Sequence, residues 1–144
     1  MTIDDFGLRY LWLPSIFVEC TVCGTLSFMD NEPTLIVIFF RTKLGREPVR
    51  DWIKDLGIED RKAIGEDIKL VQFRWPLGMP LVRKMEADLW EVRIRLNAGR
   101  LARVFFTVRG REMVLLHGMI KKSQKTSAKD LNIARSRKGL WQSE

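Results

Sequence analysis

Three runs decide the fold: Asp88-Leu-Trp-Glu-Val-Arg-Ile-Arg-Leu96, Leu101-Ala-Arg-Val-Phe-Phe-Thr-Val108 and Glu112-Met-Val-Leu-Leu-His-Gly-Met-Ile-Lys121-Lys122. Each has strand length and is rich in Val, Ile and Phe. The turns Asn97-Ala98-Gly99 and Arg109-Gly110 separate them, so together they predict an antiparallel meander. Side chains alternate across a strand. Trp90, Val92, Ile94 and Leu96 then share one face, and Glu91, Arg93 and Arg95 the other. In the second run Ala102, Val104, Phe106 and Val108 oppose Arg103, Phe105 and Thr107. In the third, Val114, Leu116 and Ile120 oppose Leu115, His117, Met119 and Lys121. One face is a ready core. The other gathers a carboxylate, three arginines, the chain's single histidine and a lysine, and is expected to stay partly open.

Working outward, Leu35 to Phe40 is an unbroken β-branched and aromatic run, a buried strand. Pro48 sits at a first helical position, and Val49, Trp52, Ile53 and Leu56 follow at helical spacing before Gly57. A second helix is expected from about Glu59 to Phe73, with Ile64, Ile68 and Val71 inward. Pro76, Gly78 and Pro80 mark a loop, and Leu81 to Met85 a short strand. After the meander, Ser127 with Asp130 resembles a capping box, opening a helix from about Ala128 to Arg137 with Leu131 and Ala134 inward. The order β-α-α-β-β-β-β-α gives an α+β domain over 34–144: an antiparallel sheet, two helices packed on one face, and a C-terminal helix. Residues 1–33 form an N-terminal extension, and Met29 lies just before the segment where the domain begins.

At 144 residues and 46% hydrophobic the chain can bury a core without staples. Its net charge of +7 is unevenly spread: residues 1–90 hold 12 Lys/Arg and 14 Asp/Glu, net −2, whereas residues 91–144 hold 13 and 4, net +9. A basic half carrying the meander points to a polyanion, nucleic acid ahead of membrane, since no apolar segment is long enough to span a bilayer. Asp4, Asp5, Arg9 and Pro14 spoil a secretory signal, so a cytoplasmic protein is expected. Cys20 and Cys23 are too few for a disulfide framework. They have zinc or redox spacing, but with one distant histidine and no second pair, ordinary thiols are the preferred reading and no metal is expected.

Glu91, Arg93, Arg103, His117 and Lys121 form a constellation suited to RNA. The 2′-hydroxyl can cut its own strand once a base removes its proton, the phosphate charge is stabilised, and an acid protonates the leaving oxygen. His117 suits either proton step, Glu91 is a second carrier, and arginines hold phosphate through paired hydrogen bonds. Lys84, Arg95 and Lys125 are candidates for binding the RNA backbone. The plainer readings are a packing histidine, a solvated Glu91–Arg93 ion pair and a solubilising basic loop.

The strings Leu89-Trp-Glu-Val-Arg93, Arg103-Val-Phe-Phe106, Val114-Leu-Leu-His-Gly118 and Ile120-Lys-Lys-Ser-Gln-Lys-Thr126, with upstream Gly45-Arg-Glu-Pro-Val-Arg-Asp-Trp52 and Leu77-Gly-Met-Pro80, resemble the phage-derived Gp49/HigB-like branch of the RelE/ParE toxin superfamily. The likeness covers roughly residues 35–137. It implies a RelE-like fold and the toxin of a type II toxin–antitoxin pair: an endoribonuclease that cleaves mRNA on the ribosome, needs no cofactor, and is neutralised by a cognate helix-turn-helix antitoxin in a toxin–antitoxin hetero-oligomer. The family's basic and catalytic positions fall on Arg93, Arg103, His117, Lys121 and Lys122. Phe106 stands where many relatives have tyrosine, Ile120 replaces a common phenylalanine, and Ser127 a common proline. The alternatives are a ParE-like toxin that poisons a DNA-processing enzyme without cutting nucleic acid, and a catalytically degenerate phage-derived protein that only binds its antitoxin.

Overall fold

A computed structural model describes residues 32–121 and 127–144. Residues 1–31, with Cys20 and Cys23, and residues 122–126, with Lys122 and Lys125, lie outside the described residues, so the expectations placed on them have no structural counterpart here. Strand β1 spans Ile36–Phe39, helices α1 and α2 span Pro48–Lys54 and Ile58–Arg74, strands β2 to β5 span Val82–Glu86, Leu89–Arg95, Leu101–Arg109 and Glu112–Lys121, and helix α3 spans Ala128–Gln142. The sheet order is β1-β5-β4-β3-β2. The meander is antiparallel as expected, but β1 enters the sheet parallel to β5, with Ile36 opposite Glu112, so the sheet as a whole is mixed.

Pro48 starts α1 with no hydrogen bond to lose, its missing N–H being one that the first turn leaves unused. Val49 and Ile53 of α1, with Ile64, Ile68 and Val71 of α2, pack on Val92, Ile94, Ala102, Val104 and Phe106 as the main core. Trp75, Trp90 and Phe106 close one end of it: Trp75 meets Trp90 edge-on at 5.3 Å between ring centres, and Trp90 stacks on Phe106 at 5.9 Å. The β4–β5 hairpin turns through Gly110 at φ +60°, a left-handed conformation that a two-residue hairpin loop favours and glycine adopts freely.

The second sheet face is partly open, as expected. Helix α3 lies over part of it, and Leu89, Phe105, Val114, Leu116 and Ala134 form a second, smaller core there with Leu131 and Trp141 at its margin. The helix also runs on to Gln142, past the expected end near Arg137. Strict alternation along β5 also fails. Phe106 pairs with Leu115 and Phe105 with His117, which leaves Leu116 as an extra residue in the strand. Such a bulge restarts the alternation. Upstream of it, Met113 and Leu115 face the main core while Val114 and Leu116 face α3, the reverse of the simple count. Downstream, His117, Met119 and Lys121 oppose Phe105, Arg103 and Leu101, on the face expected.

Candidate nucleic-acid interface

Cross-strand register builds the site row by row on the face that α3 half covers. Arg83, Glu91, Phe105 and His117 form one row, and Arg93, Arg103 and Met119 the next. Arg95, Leu101 and Lys121 form the third row, nearest the strand ends. Alternation along β3, β4 and β5 puts these side chains on one surface, so the structure brings together Glu91, Arg93, Arg103 and Lys121 as the sequence suggests.

Their environment differs from that expectation. Glu91 is 0% exposed and Arg103 3%, and Arg103 Nε lies 2.8 Å from Glu91 Oε1. This is a buried ion pair in the floor of the patch. Burial pushes the Glu91 carboxyl above the ordinary carboxylate range, against the pull of Arg103, Arg93, Arg83 and Lys121. Burial likewise lowers the Arg103 guanidinium from its ordinary value, and Arg93 and Arg83 add to that effect while Glu91 opposes it. Lys121, half-buried at the end of β5, is held below the usual lysine value, first by burial and then by repulsion from Arg103, with Arg93 and Arg83 adding and Glu91 opposing. Four cations thus act on one carboxylate, a local excess of positive charge at a sheet surface. Beside it, Asp67, Pro80, Leu81, Arg93, Arg95 and Leu101 line a cleft of about 600 Å³, within the usual range of ligand clefts of about 300–1,000 Å³.

His117 stands apart from this group. Phe105 lies between it and Glu91 in the same row, and the histidine ring stacks on that phenylalanine at 6.3 Å between centres. Its ring nitrogens turn to α3 instead. Nε2 lies 2.8 Å from Asp130 Oδ1, and Nδ1 lies 3.4 Å from Arg137 Nη1, which also donates to the Leu116 carbonyl at 2.8 Å. The expected Glu91–His117 pairing is therefore absent, because a bulky ring fills the intervening register position. The capping box gives way too: Ser127 makes no side-chain cap, and the Asp130 carboxylate is used on His117.

Arg95 is exposed on the third row. Lys84 pairs across from Trp90, the register position on the side that α1 and α2 cover, so it does not join the arginines. Arg83 is the member that sequence reading missed. Alternation within the Val82–Glu86 run carries the signal, since a buried Val82 puts Arg83 on the opposite face. Asp130 and Arg137, which clasp His117, were also missed. Their contacts span 13 and 20 residues, and no local spacing encodes them. Among the described residues no group of three His, Cys, Asp or Glu side chains is placed to hold a metal ion, and no helix is long and apolar enough to cross a membrane.

No curated protein matches the chain. A family model described as Phage derived protein Gp49-like (DUF891) matches residues 51–139, a stretch that runs from α1 through the whole meander into α3 and includes every residue of the patch. This family is related to toxin–antitoxin systems and implies an antitoxin partner. The chain belongs to the Gp49-like family of phage-derived proteins, the Gp49/HigB-like branch of the RelE superfamily.

Proposed function

We propose that this protein is the toxin of a type II toxin–antitoxin pair: a cytoplasmic, metal-independent endoribonuclease that cleaves mRNA on the ribosome and is silenced by a helix-turn-helix antitoxin. The observation that carries the reading is the convergence of Arg83, Arg93, Arg103 and Lys121 around buried Glu91 on a sheet face that α3 only half covers. In this reading Arg93 holds the scissile phosphate, and buried Arg103 adds its positive charge from beneath. Glu91 positions Arg103, because a carboxylate with no exposed surface cannot touch substrate itself. The lowered pKa of Lys121 increases its share of neutral amine. That amine takes the proton from the 2′-hydroxyl as its oxygen bonds to phosphorus, and returns it to the 5′ oxygen as the P–O5′ bond breaks. The products are a 2′,3′-cyclic phosphate and a 5′-hydroxyl. His117, held by Asp130 and Arg137, anchors α3 over the neighbouring half of the face.

The separation of Glu91 from His117 favours a second reading, a ParE-like protein that poisons a DNA-processing enzyme by binding alone. One experiment divides the two. The purified chain is incubated with end-labelled mRNA, with and without ribosomes and with and without chelator. Cleavage that leaves cyclic phosphate ends, persists in chelator and is lost in Lys121→Ala and Arg93→Ala supports the nuclease. Growth arrest without RNA cleavage, or a Lys121→Ala chain as active as the parent, refutes it. His117→Ala should keep measurable cleavage, and complete loss there in a folded chain would return the proton step to the histidine.

A further inference from the structure

Helix α3 has three flanks, and among the described residues only two have partners. Leu131, Ala134 and Trp141 pack on the sheet. Arg135 pairs with Glu86, and Lys138 donates to the Ala87 carbonyl, which ties a second flank to the β2–β3 turn. The third flank is Lys129, Ile133, Ser136 and Leu140, at i, i+4, i+7 and i+11, one stripe of a helix. Across from it stand Phe40, Thr42 and Lys43, the residues that follow β1. The two walls enclose a groove of about 780 Å³. Leu140 is 45% exposed in it.

The chemistry of this groove is apolar in the middle and cationic along its edges. Ile133 and Leu140 offer aliphatic surface. Lys43, Lys129 and Arg137 line it without a carboxylate among them. None of the ion pairs among the described residues engages Lys43 or Lys129. Single-stranded nucleic acid would need aromatic faces on which to stack its bases. The groove offers none: its one ring, Phe40, is 5% exposed, and the Arg137 guanidinium lies over it at 5.9 Å. The stripe from Lys129 to Leu140 is about 16 Å long at the helical rise, the length of three turns. Small Ser136 at its centre lets another backbone come close.

We infer that the groove between α3 and the segment after β1 is a docking site for an acidic amphipathic helix of a protein partner. The partner's apolar stripe would lie on Ile133 and Leu140, and its carboxylates would meet Lys43 and Lys129. This is recognition of a helix in a groove, with charge setting which helix is accepted. It stands apart from the RNA patch and does not depend on cleavage.

The test follows the amide spectrum of the isotope-labelled full chain during three titrations. The probes are a short amphipathic helical peptide of Leu, Ala and Glu, its counterpart with Lys in place of Glu, and a single-stranded oligoribonucleotide. The glutamate peptide should bind saturably and move the amides of Ile133, Ser136 and Leu140. Leu140→Asp and Lys43→Glu, both at exposed positions, should each weaken it about tenfold. The inference is overturned if the glutamate peptide does not bind, if the lysine peptide binds equally well, or if both substitutions leave affinity unchanged. It is equally overturned if the oligoribonucleotide moves the same three amides, which would make the groove a nucleic-acid surface.

Discussion

Replacing Glu91 with alanine removes the one carboxylate that stands against four cations. Arg103, 3% exposed and 2.8 Å from that carboxylate, would keep its charge in the sheet without the Glu91 carboxylate beside it. Leaving one member of a buried ion pair uncompensated costs about 3–5 kcal/mol. A domain of this size has about 5–15 kcal/mol in total, so Glu91→Ala should lose about a fifth of its stability or more. Buried pairs of this kind are often no more stabilising than apolar side chains of similar volume. Burial shifts both partners away from their charged forms, Glu91 upward and Arg103 downward, despite their attraction. The double variant Glu91→Met/Arg103→Met removes both charges, fills similar volume, and should match or exceed the parent. Urea unfolding followed by tryptophan fluorescence suits the comparison, because Trp75 and Trp90 pack on Phe106, and Phe106 is the immediate neighbour of Phe105, which faces Glu91. A single variant within about 1 kcal/mol of the parent, less than the typical cost of a lost buried group, would refute the reasoning. So would a double variant as unstable as the single one.

Glu91 also sets a pH dependence. Its raised carboxyl gives stability that is complete below the unfolded carboxylate value of about 4.3 and is lost as pH rises through the folded value, so this component of the pH profile should vanish in the double variant. Gly118→Ala should destabilise by about 1–3 kcal/mol, read as a fall in Tm, because a Cβ there would run into the Trp52 ring and α1 would have to move off β5. RNA affinity should fall steeply with salt as counterions are released, and Arg95→Ala should weaken binding modestly while leaving cleavage; a flat salt profile would remove the basic patch from the argument. A chain beginning at Met29 should unfold cooperatively and arrest growth like the full chain, and loss of cooperativity would make residues 1–28 part of the domain.

The elements were legible because each announces itself locally. Pro48 and Gly57 bracket α1, Ile64, Ile68 and Val71 mark the inner stripe of α2, and the Gly-containing turns punctuate the meander. Register and direction were less so. A strand that joins parallel has no signature in its own residues, and the bulge at Leu116 is set by how β4 and β5 fit, so period-two counting inverted the upstream half of β5. The cationic cluster could be read from alternation, but its burial could not. Burial on that face depends on how distant segments pack over it, and α3, which covers part of it, is positioned by contacts such as His117–Asp130 that join distant parts of the chain.

The pairing of β1 with β5 has a consequence for how the chain comes off the ribosome. Among the described residues, Ile36 meets Glu112, so β1 finds its sheet partner in β5, the last of the five strands. Until β5 emerges, β1 lacks that partner and β4 exposes an edge, and both are templates for the wrong pairing. Closing so long a loop is also slow. An incomplete chain therefore has neither a finished sheet nor Lys121 at the patch, which β5 delivers in its last residue. That order of synthesis delays the complete patch, since Lys121 joins Arg83, Arg93 and Arg103 only when β5 closes the sheet.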